Sequence, residues 1–376
     1  MRRSCSRDVA ARVLARVWQD AAYAAPTLDA ELRAQPLDTR DVRLATVLVY
    51  GVLRTRGELE RRIDVHAKRR GYKRKPSVLA PLLIGAYSIG FLERIPPHAA
   101  VNEAVRAVRA ASDKRVAAFA NAVLRKLVKE RERDGRGDLA DAIVGAAPSW
   151  LRAALARSIG KDSVGAMLAA EQLPVPQGIC LDAGCERQDW LARLRAAAPE
   201  AEFEAGLVSP RCIRVRGAGD LRRLPGAGTD WIAQEEGAQV VALALGARPG
   251  ETVLDACAGR GGKSFLLTKE VGPEGAVDAA DRAPAKLSRL RSASPHGARV
   301  RQTYPVDWSR GTGDAPGGYD RALVDAPCSG VGTLRRRPEI VGRLVASDVA
   351  RLAALQVEVV RRVATQVKSG GRLVYA

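Results

Sequence analysis

Apolar residues recur at helical spacing from the start of the chain. In DVAARVLARVWQD, residues 8–20, Val9, Val13 and Val17 return every fourth position, which predicts an amphipathic helix. The rhythm continues, with no strand-like alternation, to about residue 130. Thr39-Arg40-Asp41 opens VRLATVLVYGVLRTRGELERRI, whose Val and Leu residues cover a broad face. Pro76 and Pro81 bracket the start of the apolar run SVLAPLLIGAYSIGFL, Pro96-Pro97 opens a further helix, and VAAFANAVLRKLV follows. Short connections between such helices predict a compact all-α bundle over residues 1–135. The next stretch, ERERDGRGDLADAIVGAA, loses the rhythm and gains glycine and charge, so a linker is expected over 136–147. Residues 148–228, with Pro174-Val175-Pro176 and short apolar runs, read as a small α+β unit.

From 229 to 376 the pattern changes. Short apolar runs alternate with helical stretches: TVLDACA (252–258), GAVDAAD (275–281), ARVRQTYP (298–305), YDRALVDAP (319–327) and GRLVYA (371–376). Strands of that length separated by helices predict βαβ units and a parallel sheet. No repeat period is present.

Charge adds a partner to this picture. The chain has 61 Lys and Arg against 42 Asp and Glu, a net +19. Residues 1–150 hold 29 of the bases and 17 of the acids, so +12 of the excess lies there. The densest run, RRIDVHAKRRGYKRK at 61–75, sets eight bases against Asp64 alone. Such a run is either a solvated helix end or a phosphate-contacting surface. Among six cysteines there is no Cys-x-x-Cys, and there are three histidines, which gives no support to a metal site or disulfide framework. Unpaired thiols fit a reducing cytoplasm. No apolar run approaches the ~20 residues of a membrane span, and the Arg-rich amino terminus lacks a signal-like apolar segment.

The candidate chemistry lies in the last third. DACAGRGGKS, residues 255–264, joins a strand to the helix FLLTKEV. Its glycines let the backbone approach a ligand and leave helix N–H groups available. A Walker loop would need glycine where Cys257 stands, which argues against nucleotide hydrolysis. Asp281, about 20 residues further on at the end of the second strand, suits the two ribose hydroxyls of a dinucleotide or of S-adenosylmethionine. Asp307, after the third strand, suits an adenine amino group. VDAPCSGVGTLRRRPEI, residues 324–340, then puts Asp325, Pro327 and Cys328 at the end of the fourth strand. A thiolate that adds to carbon 6 of cytosine makes carbon 5 nucleophilic toward an electrophilic methyl group. A carboxyl group against ring nitrogen 3 and the amino group stabilises the developing charge. Cys328, three residues after Asp325, suits this chemistry.

These motifs resemble the RsmB/Sun/NOL1-NOP2 family of RNA (cytosine-5) methyltransferases. DACAGRGGK is similar to its cofactor loop, DAPCSGVGTLRRRPEI to its substrate motif, GGRLVYA to its fifth strand and WIAQEEGAQVVALAL to the segment before the loop. LVYGVLRTRGELE and FANAVLRKL resemble the NusB-like RNA-binding domain at the front of its RsmB members. The likeness is weakest over 150–228, where GICLDAG stands in place of an Arg-x-Asn strand. The resemblance implies a Rossmann-like methyltransferase sheet acting on ribosomal RNA, with S-adenosylmethionine held or bordered by Cys257, Ala258, Gly259, Arg260, Gly261, Gly262, Lys263, Asp281, Asp307 and Asp325. Arg260 replaces the family's usual proline. The resemblance also implies that Cys328 assists release of the methylated base, while the attacking thiolate comes from a Thr-Cys directly after the fifth strand. Thr-Cys is therefore expected after Ala376, and the sheet is expected to be incomplete, about five strands of seven, with the fifth an unprotected apolar edge. A second reading is an RNA-binding protein without catalysis, working through the helical domain alone.

Overall fold

The computed structural model describes residues 5–67, 75–292 and 300–376, so residues 68–74, with five of the eight bases of the run at 61–75, lie outside the described residues. The chain divides into two compact units. One comprises residues 1–174 with 330–346, the other residues 175–329 with 347–376.

The first unit is helical: α1 (Ser6–Gln19), α2 (Ala24–Ala34), α3 (Thr39–His66), α4 (Pro76–Phe91), α5 (Pro97–Ala111), α6 (Lys114–Asp134), α7 (Leu139–Ala146), α8 (Ser149–Ile159) and α9 (Lys161–Ala169). Side chains cap the helix starts where the sequence supplies an acid. Asp38 accepts from Asp41 N–H, and Asp113 accepts from the N–H groups of Arg115 and Val116. The apolar α4 is buried nearly all round, and a Cβ on Gly85 would stand 2.7 Å from that of Ala104, so glycine is what lets α4 and α5 close up.

Two boundaries differ from the sequence reading. The expected linker at 136–147 contains α7, capped by Asp138 and burying Ala142 and Ile143. Eight residues between glycine- and charge-rich flanks are too few to display a helical period. The expected α+β unit at 148–228 is split: α8 and α9 belong to the helical unit, and its strands to the second unit. Residues 330–346 also join the helical unit. Glu339, buried, accepts from Ala24 N–H, and Arg337 and Arg343 lie over the Tyr23 ring at 5.5 and 4.8 Å.

The second unit holds two sheets. The smaller is antiparallel, ordered β2-β3-β1-β4 from β1 (Gln177–Leu181), β2 (Glu202–Ala205), β3 (Cys212–Arg216) and β4 (Trp231–Ala233), with α10 (Arg187–Ala197) packed near it. The larger is parallel, ordered β7-β6-β5-β8-β9 from β5 (Thr252–Asp255), β6 (Ala276–Asp281), β7 (Val300–Pro305), β8 (Tyr319–Val324) and β9 (Val367–Tyr375). Helices α11 (Glu236–Ala244), α12 (Gly262–Val271), α13 (Pro284–Ser292) and α14 (Ala346–Ala364) alternate with its strands. This is the Rossmann-like arrangement the run of βαβ units implies. Strand β9 lies at the sheet edge, and its exposed positions mix the apolar surface expected, at Tyr375, with charge. Lys368 and Arg372 stand there and Lys368 pairs with Asp320 at 2.9 Å, while Leu373 and Val374 are half-buried. No described helix is long and apolar enough to cross a membrane.

Candidate active site

Strand order and register decide what meets at the carboxyl edge of the parallel sheet. Asp255 on β5 is level with Ala279 on β6 and Leu323 on β8, so the loops leaving all three strands open onto one edge, where ligands bind in folds of this kind. The glycine loop begins there. Ala258 N–H donates to Ala280 O at 2.9 Å and Gly259 N–H to the Asp281 carboxylate at 3.0 Å, tying the loop to the end of β6. Gly259 and Gly261 have φ of +60° and +87°, and a Cβ on Gly261 would lie 2.8 Å from Leu290 Cγ. Glycine is required there to start α12 beside α13.

Four carboxylates stand along this edge. Asp281 is buried; its Oδ1 accepts from Ala283 N–H at 2.8 Å, and Lys286 Nζ lies 3.3 Å from Oδ2, the oxygen that takes Gly259 N–H. Asp325, half-exposed, receives Lys263 Nζ at 2.5 Å, so the substrate motif and the glycine loop are in direct contact. Asp307 binds the Ser309 hydroxyl at 2.6 Å, and that bond holds its carboxyl below the usual range. Asp255, expected only as part of the strand, is buried and accepts from Ser264 Oγ at 2.6 Å, while its Oδ1 has no partner. Burial pushes its pKa up to about 6 against that hydrogen bond.

The cysteines separate by environment. Cys257 is half-buried, and burial, followed by the carboxylates of Asp255, Asp281 and Asp325, pushes its thiol up to about 12. It is a poor nucleophile and fits a lining role. Cys328 is exposed, three residues past Asp325. Its backbone is fixed from behind: Gln356 Nε2 on α14 donates to Pro327 O at 2.9 Å, and the Tyr375 hydroxyl, at the end of β9, donates to Gln356 Oε1 at 2.9 Å. Arg260 and Gly262 are exposed and Ala258 is buried.

Sequence reasoning missed several members of this edge. Trp308 Nε1 donates to Ala256 O at 2.7 Å, fixing the first peptide of the loop. Gln234 Nε2 donates to Gly262 O at 2.8 Å, and its own Oε1 is buried without a partner. Gln234 lies in WIAQEEGAQVVALAL, the segment likened to the one before the loop, but nothing in the sequence ties its side chain to Gly262, 28 residues on.

Comparison with known proteins adds the family. Residues 4–129 match the NusB family, and residues 242–376 match the family described as 16S rRNA methyltransferase RsmB/F. Over 392 residues the chain is 30% identical to the Bacillus subtilis protein named "Probable ribosomal RNA small subunit methyltransferase B", covering 100% of this chain and 85% of that one. Over 356 residues it is 32% identical to the Vibrio cholerae "Ribosomal RNA small subunit methyltransferase B", covering 91% and 79%. The chain belongs to the RsmB/F family. The likeness of its motifs to that family, and of its front helices to NusB, is thereby borne out. The fold of this RsmB/F chain recurs in the crystal structure of PH0851, with a TM-score of 0.80 at 19% identity over 98% of this chain and 85% of that one.

Proposed function

We propose that this RsmB/F protein transfers a methyl group from S-adenosylmethionine to carbon 5 of a cytosine in small-subunit ribosomal RNA, with the helical domain of residues 1–135 binding the RNA. The observation that carries the reading is the direct contact of Lys263, in the glycine loop, with Asp325, three residues before the exposed Cys328. A cofactor loop and a cytosine motif in one contact suit a reaction between their two ligands. The residues present also fit the cofactor. S-adenosylmethionine is rich in donors, with an ammonium, two ribose hydroxyls and an adenine amino group beside its sulfonium. The edge offers acceptors in excess, including the unpartnered Asp255 Oδ1 and Gln234 Oε1.

The cofactor, when bound, supplies an electrophilic methyl group. Asp281 would accept from the ribose hydroxyls, Asp307 from the adenine amino group, and the glycine loop would leave room for the backbone to approach. Asp325, held by Lys263, would accept from the amino group of cytosine and, as a protonated carboxyl, donate to ring nitrogen 3, where charge develops as a thiolate bonds to carbon 6. Electrons displaced to carbon 5 would form the new carbon–methyl bond as the methyl–sulfur bond breaks, with S-adenosylhomocysteine as the leaving group. A base would then take the carbon-5 proton, the C–H electrons would re-form the carbon 5–carbon 6 double bond, and the thiolate would leave, a release that Cys328 assists.

The test is methyl transfer from labelled S-adenosylmethionine to small-subunit RNA, with nucleoside analysis of the product. Two forms are compared, the 376-residue chain and the same chain extended by Thr-Cys. Label in 5-methylcytidine with the extended form supports the whole reading. Transfer by the shorter form, abolished in Cys328→Ser, would make Cys328 the attacking thiol instead. Label only in DNA, protein or another nucleoside would refute the assignment.

A further inference from the structure

Glu171 is out of place for a carboxylate. It lies in the turn after α9, within the helical unit, is 7% exposed, and has no hydrogen bond or ion pair among the described residues. Its carboxyl oxygens are not sealed from solvent, unlike Glu339 Oε2, and a carboxylate otherwise so enclosed gains from a partner that brings N–H donors. Burial pushes it up to about 7, with Arg54 opposing the rise. It lines a cavity of about 280 Å³ whose other walls include Leu53, Ile143, Pro148 and Pro338, all of the same unit. Arg54 lines it too; one of its terminal nitrogens donates to Arg335 O at 2.9 Å, while its Nε–H is buried with no acceptor.

Apolar walls with a few convergent polar groups describe a small-ligand pocket, and this volume falls just below the ~300–1,000 Å³ such pockets span. That suits one flat ring system with its sugar and phosphate left outside. The Glu171 carboxylate specifies the ring: it accepts two adjacent N–H donors, and guanine presents N1–H and N2–H side by side, next to the acceptor O6. Adenine, cytosine and uracil do not pair two neighbouring N–H groups with an acceptor in that order. Proteins that read single-stranded RNA commonly recognise unstacked bases on this edge.

We propose that this cavity takes a single unstacked guanine of the RNA, with Glu171 accepting from N1–H and N2–H. The inference rests on the chain being an RNA-binding protein. The charged or titratable groups around the carboxylate are Arg54, with Tyr50, Tyr87 and Arg335 beside it, and Arg56 and Glu60 further along the cavity wall.

The experiment is fluorescence anisotropy of the full chain with labelled oligouridines bearing one central guanosine, inosine or adenosine, at one fixed salt concentration. The guanosine oligomer is expected to bind about tenfold tighter than the adenosine one, with inosine, which lacks the N2 amino group, between them. Glu171→Gln should erase the difference, and the preference should fade below about pH 7 as the carboxyl takes up a proton. The inosine arm needs no variant and so stands even if Glu171→Gln folds poorly. Equal affinity for all three oligomers overturns the guanine site while leaving RNA binding intact. Failure of every oligomer to bind overturns the guanine site and RNA binding together.

Discussion

Asp281→Asn is the most informative single substitution at the sheet edge. The native carboxylate accepts from Gly259 N–H at 3.0 Å and from Ala283 N–H at 2.8 Å, and Lys286 adds a half-exposed ion pair at 3.3 Å. Asparagine keeps the shape but has one acceptor oxygen, so one of the two N–H groups must face an NH₂ donor. Hydrogen bonds to charged groups contribute about 1.5–3 kcal/mol each, whereas the exposed lysine pair adds under about 1 kcal/mol. The loop should therefore lose about 2 kcal/mol of local stability. If Asp281 holds the ribose of the cofactor as proposed, one hydroxyl bond would be lost and the other become neutral, which together come to about 2–4 kcal/mol, or roughly 30- to 1,000-fold in Kd. Calorimetric titration with S-adenosylmethionine reads this directly, and a thermal melt of the same sample measures the structural part. An Asn variant with a lowered Tm but a Kd within about threefold of wild type would show that Asp281 is only a loop clamp.

Three further outcomes follow from the same geometry. Asp255 has its pKa raised from 3.8 to about 6, so between those values the folded state keeps a proton that the unfolded chain has released. Stability should fall by about 3 kcal/mol as pH rises through that window and stay lower above it, and in urea titrations at pH 4 and pH 7.5 Asp255→Asn should remove most of the decline; an unchanged slope would place its cause elsewhere. Lys263→Met, which strips Asp325 of its partner, should lower kcat for methyl transfer by about 10- to 100-fold with a smaller change in cofactor Kd, and an equal loss in both would contradict a role at the pyrimidine. Gln356→Leu and Tyr375→Phe should each reduce kcat by about tenfold with little change in KM, because they release the Pro327 carbonyl that orients Cys328; full activity in both would mean the loop needs no such support.

Which residues meet at the carboxyl edge of the parallel sheet could in large part be read before any coordinates, and the reason is local. A glycine loop after an apolar strand, an acid closing the next strand and an Asp-x-x-Cys closing the fourth are fixed offsets from strand ends, and a parallel sheet aligns those ends by construction. Asp281 and Asp325 accordingly lie against the loop. Gln234, Trp308 and Gln356 could not be found this way, because each reaches its partner across the fold and none sits at a strand end that a pattern would single out. The short α7 was hidden by its length, and α8 and α9 were grouped with strands whose partners lie in the other unit. The segment TLRRRPEI read as one piece with DAPCSG, yet its charged residues bind helical-unit groups: Glu339 takes Ala24 N–H and Arg54 takes Arg335 O. Charge composition reveals that such arginines exist, but not which surface they face.

A crystal structure of the chain with S-adenosylhomocysteine would bear most directly on the catalytic reading. The ligand should lie over the glycine loop, with its ribose on Asp281 and its sulfur toward the side of the edge where Asp325 and Cys328 stand. The same unit has a second candidate cavity of 660 Å³, lined by Asp182, Asp230 and Lys269 and sharing none of those residues. Occupancy there, with the glycine loop empty, would contradict it.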